Sequence, residues 1–212
     1  GKGVFTKELE EALLREEIDL AVHSAKDMPM EFPEGLGIGA VLSRADVRDV
    51  LVTTSGTRAA DLAPGSVVGT SSLRRELQIK EINPLVKIRL LRGNVQTRLR
   101  KLKEGQYDAI LLAAAGLERL GITEEDGICL EYLEPDAFLP AAGQGILAVE
   151  SKEGRLTEVL QAIHCPEAAL ELAAERSFLK AIGGSCNAPA AGLCRMAEGK
   201  RSEERRVGKE CL

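Results

Sequence analysis

Between residues 65 and 120 the chain alternates short apolar runs with helix-period segments three times over. Residues 65–69 (GSVVG) read as a compact strand. Thr70-Ser71-Ser72 then reads as the N-cap cluster of a helix over Leu73–Ile82, which Asn83-Pro84 stops. Residues 86–91 read as a strand and 94–103 as a basic helix. Residues 107–113 (YDAILLA) read as an apolar strand and 114–120 as a short helix. Successive strands joined through helices pair side by side, so this stretch predicts an α/β fold with a parallel sheet.

The flanks follow the same alphabet. Residues 7–17 have the period of an amphipathic helix, with Leu9, Leu13 and Leu14 on one face. Residues 18–23 read as a short buried strand ending in the polar cluster Ser24-Ala25-Lys26-Asp27. Residues 36–42 and Asp49–Thr53 also read as strands. Leu139-Pro140-Ala141-Ala142-Gly143-Gln144-Gly145 has the composition of a hinge. A strand at 146–150, a helix at 156–164 and a long helix at 166–182 follow, the last stopped by Gly183-Gly184. Short strand character then runs to Cys194. The last twelve residues, RSEERRVGKECL, are charged and aperiodic and read as a tail unrelated to the preceding pattern.

Composition narrows the class. At 44% hydrophobic residues the 212-residue chain can bury a core, as one large domain or two small ones. No apolar run reaches the roughly 20 residues that cross a bilayer. Gly1-Lys2-Gly3 opens no signal peptide, so a cytoplasmic protein with reduced thiols is expected. The five cysteines (129, 165, 186, 194 and 211) contain no C-x-x-C pair, and neither His23 nor His164 has a Cys or His at ligand spacing. Neither a zinc site nor a disulfide framework is expected.

The charge is unevenly distributed. Residues 73–103 hold ten Lys/Arg against two acids, a local +8 inside a chain of net charge −5. The remainder therefore carries −13. Such a concentration points to an anionic ligand: phosphate, carboxylate or nucleic acid. Nucleic acid needs stacking aromatics, and this stretch contains none.

Three constellations can carry chemistry. In Thr70-Ser71-Ser72-Leu73-Arg74-Arg75 two arginines stand in the first turn of a helix, where the macrodipole disfavours cations. An anion bound by N–H groups, hydroxyls and guanidinium forks would offset that cost. The plainer alternative is a capped surface helix with solvated arginines. Arg92, Arg98 and Arg119 stand near strand ends, the ligand-binding side of open α/β sheets. In His23-Ser24-Ala25-Lys26-Asp27, Asp27 beside Lys26 is either a surface ion pair or a catalytic carboxylate. In Gly183-Gly184-Ser185-Cys186-Asn187, a thiol in a Gly-rich turn is placed for nucleophilic or attachment chemistry, whereas Cys129, Cys165 and Cys194 read as inert filler.

Six ordered motifs, VHSAKDMP, VGTSSLRR, LRGNVQTRL, YDAILLAAAGLERLG, LPAAGQG and GGSCNAP, closely resemble the porphobilinogen deaminase (hydroxymethylbilane synthase) family from Gly1 to about Met196. The resemblance implies a transferase of porphyrin (tetrapyrrole, heme) biosynthesis. It joins four porphobilinogen molecules head to tail into hydroxymethylbilane and releases ammonia. It further implies a dipyrromethane cofactor attached covalently through Cys186, with Asp27 as the catalytic carboxylate beside Lys26. Ser24, Lys26, Asp27, Thr70, Ser72, Arg74 and Arg75 match cofactor contacts, and Arg92, Arg98 and Arg119 match substrate contacts. No metal, nucleic acid or membrane partner is implied, and the family expectation is a monomer. Guanidinium forks suit the paired carboxylates of each pyrrole, which agrees with the +8 stretch.

The implied fold is α/β: two lobes resembling type II periplasmic binding proteins plus a small α+β cofactor-carrying domain. Carried across, residues 1–44 with 146–164 form domain one and 45–138 domain two. Residues 167–200 form a truncated cofactor domain and 201–212 the unrelated tail. The family pattern starts with a further N-terminal stretch, so a fragment is expected, with domain one lacking its first strand and inactive or poorly folded alone. The alternative from another class is a non-catalytic small-anion-binding module of periplasmic-binding-protein type, which leaves Asp27 and Cys186 without a joint task.

Overall fold

The computed structural model describes residues 2–183, 190–197 and 200–207. In chain order the elements are α1 (Lys2–Leu14), β1 (Leu20–Ser24), β2 (Leu36–Val41), β3 (Asp49–Thr53), β4 (Val67–Gly69) and α2 (Leu73–Ile82). They continue as β5 (Lys87–Arg89), α3 (Val95–Lys103), β6 (Ala109–Ala113), α4 (Ala114–Arg119), β7 (Cys129–Leu133) and β8 (Leu147–Lys152). The last are α5 (Thr157–Ile163), α6 (Pro166–Ala181), β9 (Ala190–Ala197) and β10 (Lys200–Val207). Two compact units result, divided at Ala45/Asp46 and Ala141/Ala142, and residues 193–197 return to the first unit. No described helix is long and apolar enough to cross a membrane.

The first unit is built on a three-stranded sheet in the order β1–β8–β2, with β8 antiparallel to both neighbours. Met28, Val41, Ile146 and Ala148 pack with Ala168 and Leu172 of α6. Leu13 of α1 packs on Ala21 and Leu36, and Leu160 of α5 on Ala40 and Val149. The β2–β8 register slips between Ile38 and Ala40. At that bulge a Cβ on Gly39 would lie 2.7 Å from the Leu160 side chain, so only glycine lets α5 approach.

The second unit carries a five-stranded sheet in the order β5–β4–β6–β3–β7. Both faces are covered. Val50, Val52, Ile110 and Leu112 pack with Leu99, Leu102 and Leu117 on one side; Leu51, Leu111 and Val68 pack with Ile79 and Phe138 on the other. Two-sided burial is why residues 109–113 are apolar throughout instead of alternating.

The parallel pairing expected of residues 65–120 is present in β4, β5 and β6, while β3 and β7, outside that stretch, make the sheet mixed. β4 pairs parallel with β5 and β6, but β3 is antiparallel to both β6 and β7. A run buried on both faces carries no signal of strand direction. The sequence reading also omitted β7 and began the first helix at residue 7 instead of Lys2. Residues 200–207, all but the first within the stretch 201–212 read as aperiodic, form a strand paired with β9.

Candidate functional site

In the first unit, β1 ends at Ser24 and tightens into a single 3-10 turn, Ala25–Asp27. The turn is anchored at both ends: Ala25 and Met28 are buried, and the Ala25 N–H donates to the Ile146 carbonyl at 3.0 Å. Asp27 is left exposed at its tip, and Lys26 is half-buried. Lys26 Nζ donates to Gln144 Oε1 at 3.2 Å, and Gln144 is fully buried. Gly143 has φ +74°, and a Cβ there would lie 3.0 Å from the Lys26 nitrogen. The segment read as a hinge is therefore the seat of this turn. Gln144, which accepts from Lys26, joins the candidate site and was not singled out from the sequence; the available signal was a polar residue between two glycines.

His23, just upstream, places Nε2 3.0 Å from Glu150 Oε2, while neither Glu150 oxygen has an aligned hydrogen-bond donor. Burial, reinforced by the charge of Glu10, pushes the Glu150 carboxyl up to about 7. Burial likewise raises Glu10 and lowers His23, disfavouring the charged imidazole.

In the second unit the carboxyl ends of the three parallel strands share one sheet edge, and each leads to a helix. Thr70 follows β4 and is buried; its Oγ1 accepts from the Ser72 N–H at 3.1 Å. Ser72 caps α2 by accepting from the Arg75 N–H at 3.4 Å. After β5, Arg92 is exposed and Gly93 takes φ +119°. Asn94 caps α3 by accepting from the Thr97 N–H at 2.9 Å. Half-buried Arg98 donates Nε to the Gly93 carbonyl at 2.8 Å. Arg119 is exposed on the last turn of α4, the end away from the β6 terminus.

Arg74 and Arg75 point inward. Arg75 donates Nε and Nη2 to Asp49 Oδ1 at 2.9 and 2.6 Å, and Nη1 to the Leu111 carbonyl at 2.9 Å. Arg74 places Nη2 2.7 Å from Asp49 Oδ2 and donates Nη1 to the Leu139 carbonyl at 2.6 Å. Burial draws the Arg74 guanidinium down from its usual value while Asp49 opposes the shift, and the group remains the cation of the pair. The anion that two arginines at a helix N-terminus demand is thus supplied in part by the chain. Two guanidiniums against one carboxylate still leave a net positive charge there.

Arg92 and Arg98 are donors of the kind a carboxylate accepts, whereas Arg119 stands at the far end of α4. Arg92 and Arg119 are exposed, Arg98 is half-buried, and a capped helix start lies beside two of them. The described residues contain no cluster of three or more groups suited to a metal ion. Cys186 lies outside the described residues, as do its neighbours 184–189.

A family model described as porphobilinogen deaminase, dipyromethane cofactor binding domain, matches residues 1–159. A porphobilinogen deaminase of Syntrophobacter fumaroxidans is 49% identical over 201 residues, covering 94% of this chain and 64% of that protein. One from Exiguobacterium sibiricum is 50% identical over 200 residues, covering 93% and 64%. The chain thus spans about 64% of the length of these relatives. Among solved structures, the Salmonella typhimurium periplasmic binding protein STM4351 aligns with TM-score 0.43 at 15% identity, over 82% of this chain and 71% of that one. The Bordetella pertussis BvgS periplasmic VFT2 domain aligns with TM-score 0.44 at 19% identity, over 82% and 72%. With the family model matched from residue 1 to residue 159 and about half of the aligned positions shared with such relatives, the chain belongs to the porphobilinogen deaminase family.

Proposed function

We propose that this chain acts as a hydroxymethylbilane synthase, condensing four porphobilinogen molecules head to tail with release of ammonia. The observation that carries the proposal is the turn Ala25–Asp27: buried at Ala25 and Met28, seated on Gly143, and exposing a carboxylate at its tip. A carboxylate held this way stabilises the positive charge that develops on a pyrrole as its amino group departs, without reorganising at that moment. Lys26, fixed by Gln144, orients a carboxylate of the ligand beside it. Cys186 would hold a dipyrromethane through a thioether, and that group would supply the pyrrole carbon from which the chain grows.

Arg92, Arg98 and Arg119 take the acetate and propionate groups of the substrate, matching planar forks to carboxylates. Ser24, Thr70, Ser72, Arg74 and Arg75 belong with the cofactor; the net positive charge of the Arg74–Arg75–Asp49 cluster complements its carboxylates. We place the domains at 1–44 with 146–164, 45–138 and 167–200, the first two being the lobes of a type II periplasmic-binding-protein-like fold. We take the protein to be a cytoplasmic monomer.

Intact mass of the full-length protein carrying these residues tests the proposal. An adduct of dipyrromethane size, lost in Cys186→Ser, together with product formation lost in Asp27→Ala, is the expected result. A wild-type protein with neither adduct nor product overturns it.

A further inference from the structure

The turn of Lys26 and Asp27 rests on a deeper layer of charge in the first unit. Glu175, on α6, has a side chain 1% exposed. Four N–H directions converge on its carboxylate. Gly143 N donates to Oε2 at 2.6 Å and Cys194 N to Oε1 at 2.8 Å. Arg44 adds Nη1 to Oε1 at 2.7 Å and Nη2 to Oε2 at 3.1 Å. Arg44 also donates Nε to the Gln144 carbonyl at 3.0 Å, and Nη1 to Glu171 and to the Cys194 carbonyl.

One ion pair therefore holds the backbone of both residues on which the turn sits. A Cβ on Gly143 would lie 3.0 Å from the Lys26 nitrogen and 3.1 Å from the Ala25 carbon, so the turn rests directly against this glycine, and Gln144 receives the Lys26 ammonium. The next residue on α6 holds the segment that follows the turn: Arg176 Nη2 donates to the Pro29 carbonyl at 2.6 Å and the Met30 carbonyl at 3.2 Å. A desolvated ion pair adds little net stability over apolar side chains of the same shape, but it tolerates only one arrangement of its partners. Glu175 also ties α6 to β9, the two elements that flank residues 184–189 in sequence.

We propose that Glu175 is a positioning residue for the reaction: through Arg44 and the backbone of Gly143 and Gln144 it sets where Lys26 and Asp27 stand. This rests on the transferase function proposed above. The test compares the full-length, cofactor-loaded wild-type protein with Glu175→Gln, which keeps the size of the side chain but turns an N–H2 toward the converging donors. We expect kcat for porphobilinogen to fall at least about 10-fold with KM within about twofold, because an interaction expressed only in the transition state is lost. The melting transition and the adduct mass on Cys186 should show a folded, loaded protein.

Unchanged kcat in such a protein, a rise in KM alone, or loss of the adduct from a folded variant overturns the positioning role. If Glu175→Gln does not fold, Arg44→Lys decides: it keeps the buried cation but cannot reach the carboxylate and the Gln144 carbonyl together. A kcat loss at constant KM then supports the role, and wild-type kcat overturns it. The two layers separate cleanly. A wild type without adduct or turnover removes the transferase function itself, whereas an active wild type matched by an active Glu175→Gln removes only the positioning role.

Discussion

Arg75 holds a single oxygen of Asp49 with two donors, Nε at 2.9 Å and Nη2 at 2.6 Å. Arg74 closes on the other oxygen at 2.7 Å, and the Asp49 side chain is fully buried. Replacing Asp49 with Asn leaves two buried guanidiniums without their anion. The expected loss is about 3–5 kcal/mol of unfolding free energy, the usual consequence of breaking a buried pair, measured by urea denaturation. A loss below about 1 kcal/mol would show that the cluster is hydrated and adaptable.

Arg92 makes the opposite prediction. Its side chain is exposed, so Arg92→Ala should change stability by no more than about 0.5 kcal/mol. Under the proposed function, the same change should raise KM for porphobilinogen about tenfold, the scale of one lost charge-assisted contact. Steady-state kinetics beside a denaturation curve read both quantities from one variant.

Glu150 predicts a pH dependence. Its carboxyl is raised from 4.5 to about 7 by burial and by Glu10, so the folded state holds a proton that the unfolded state releases. That contribution is full below pH 4.5 and is lost as the pH rises through about 7. His23 acts the other way: burial lowers it, so its contribution is lost as the pH falls below its ordinary value of 6.5. Glu150→Gln should therefore raise the melting temperature relative to wild type at pH 8 far more than at pH 5. Equal shifts at both pH values would contradict the assignment.

Gly39 and Gly69 should resist alanine. At Gly39 the added carbon would collide with Ser151 Oγ and meet Leu160 at 2.7 Å; at Gly69 it would meet the Tyr107 ring at 2.8 Å. Each substitution should cost about 1–3 kcal/mol, the range for overpacking a filled site. Gly37→Ala, with nothing within 4 Å, is the control and should be nearly neutral by thermal denaturation.

Much of this architecture is written locally. The α2 limits, Leu73–Ile82, follow from the Ser72 cap and the Asn83-Pro84 stop, and the same holds for Asn94 at the head of α3. Asp27 at the end of a strand, followed by Met28-Pro29, was legible as a candidate site because a polar cluster interrupts an apolar run. Arg74 and Arg75 were legible as needing an anion. That the anion is Asp49 was not, since the two lie 26 positions apart and meet only when α2 packs on the sheet.

The sequence by itself determined most of the strands and helices, the caps of α2 and α3, and which family the motifs resemble. These depend on side-chain period and on hydrogen bonds spanning three or four residues. The tertiary structure alone decided the direction of β3 against β6 and the pairing of Arg44 with Glu175, 131 positions away. It also placed Gln144 beneath Lys26, 118 positions distant. An apolar run states that it will be buried, and a charge states that it needs a partner. Which neighbour meets that need is set only when separate elements close on one core and exclude water from the groups between them.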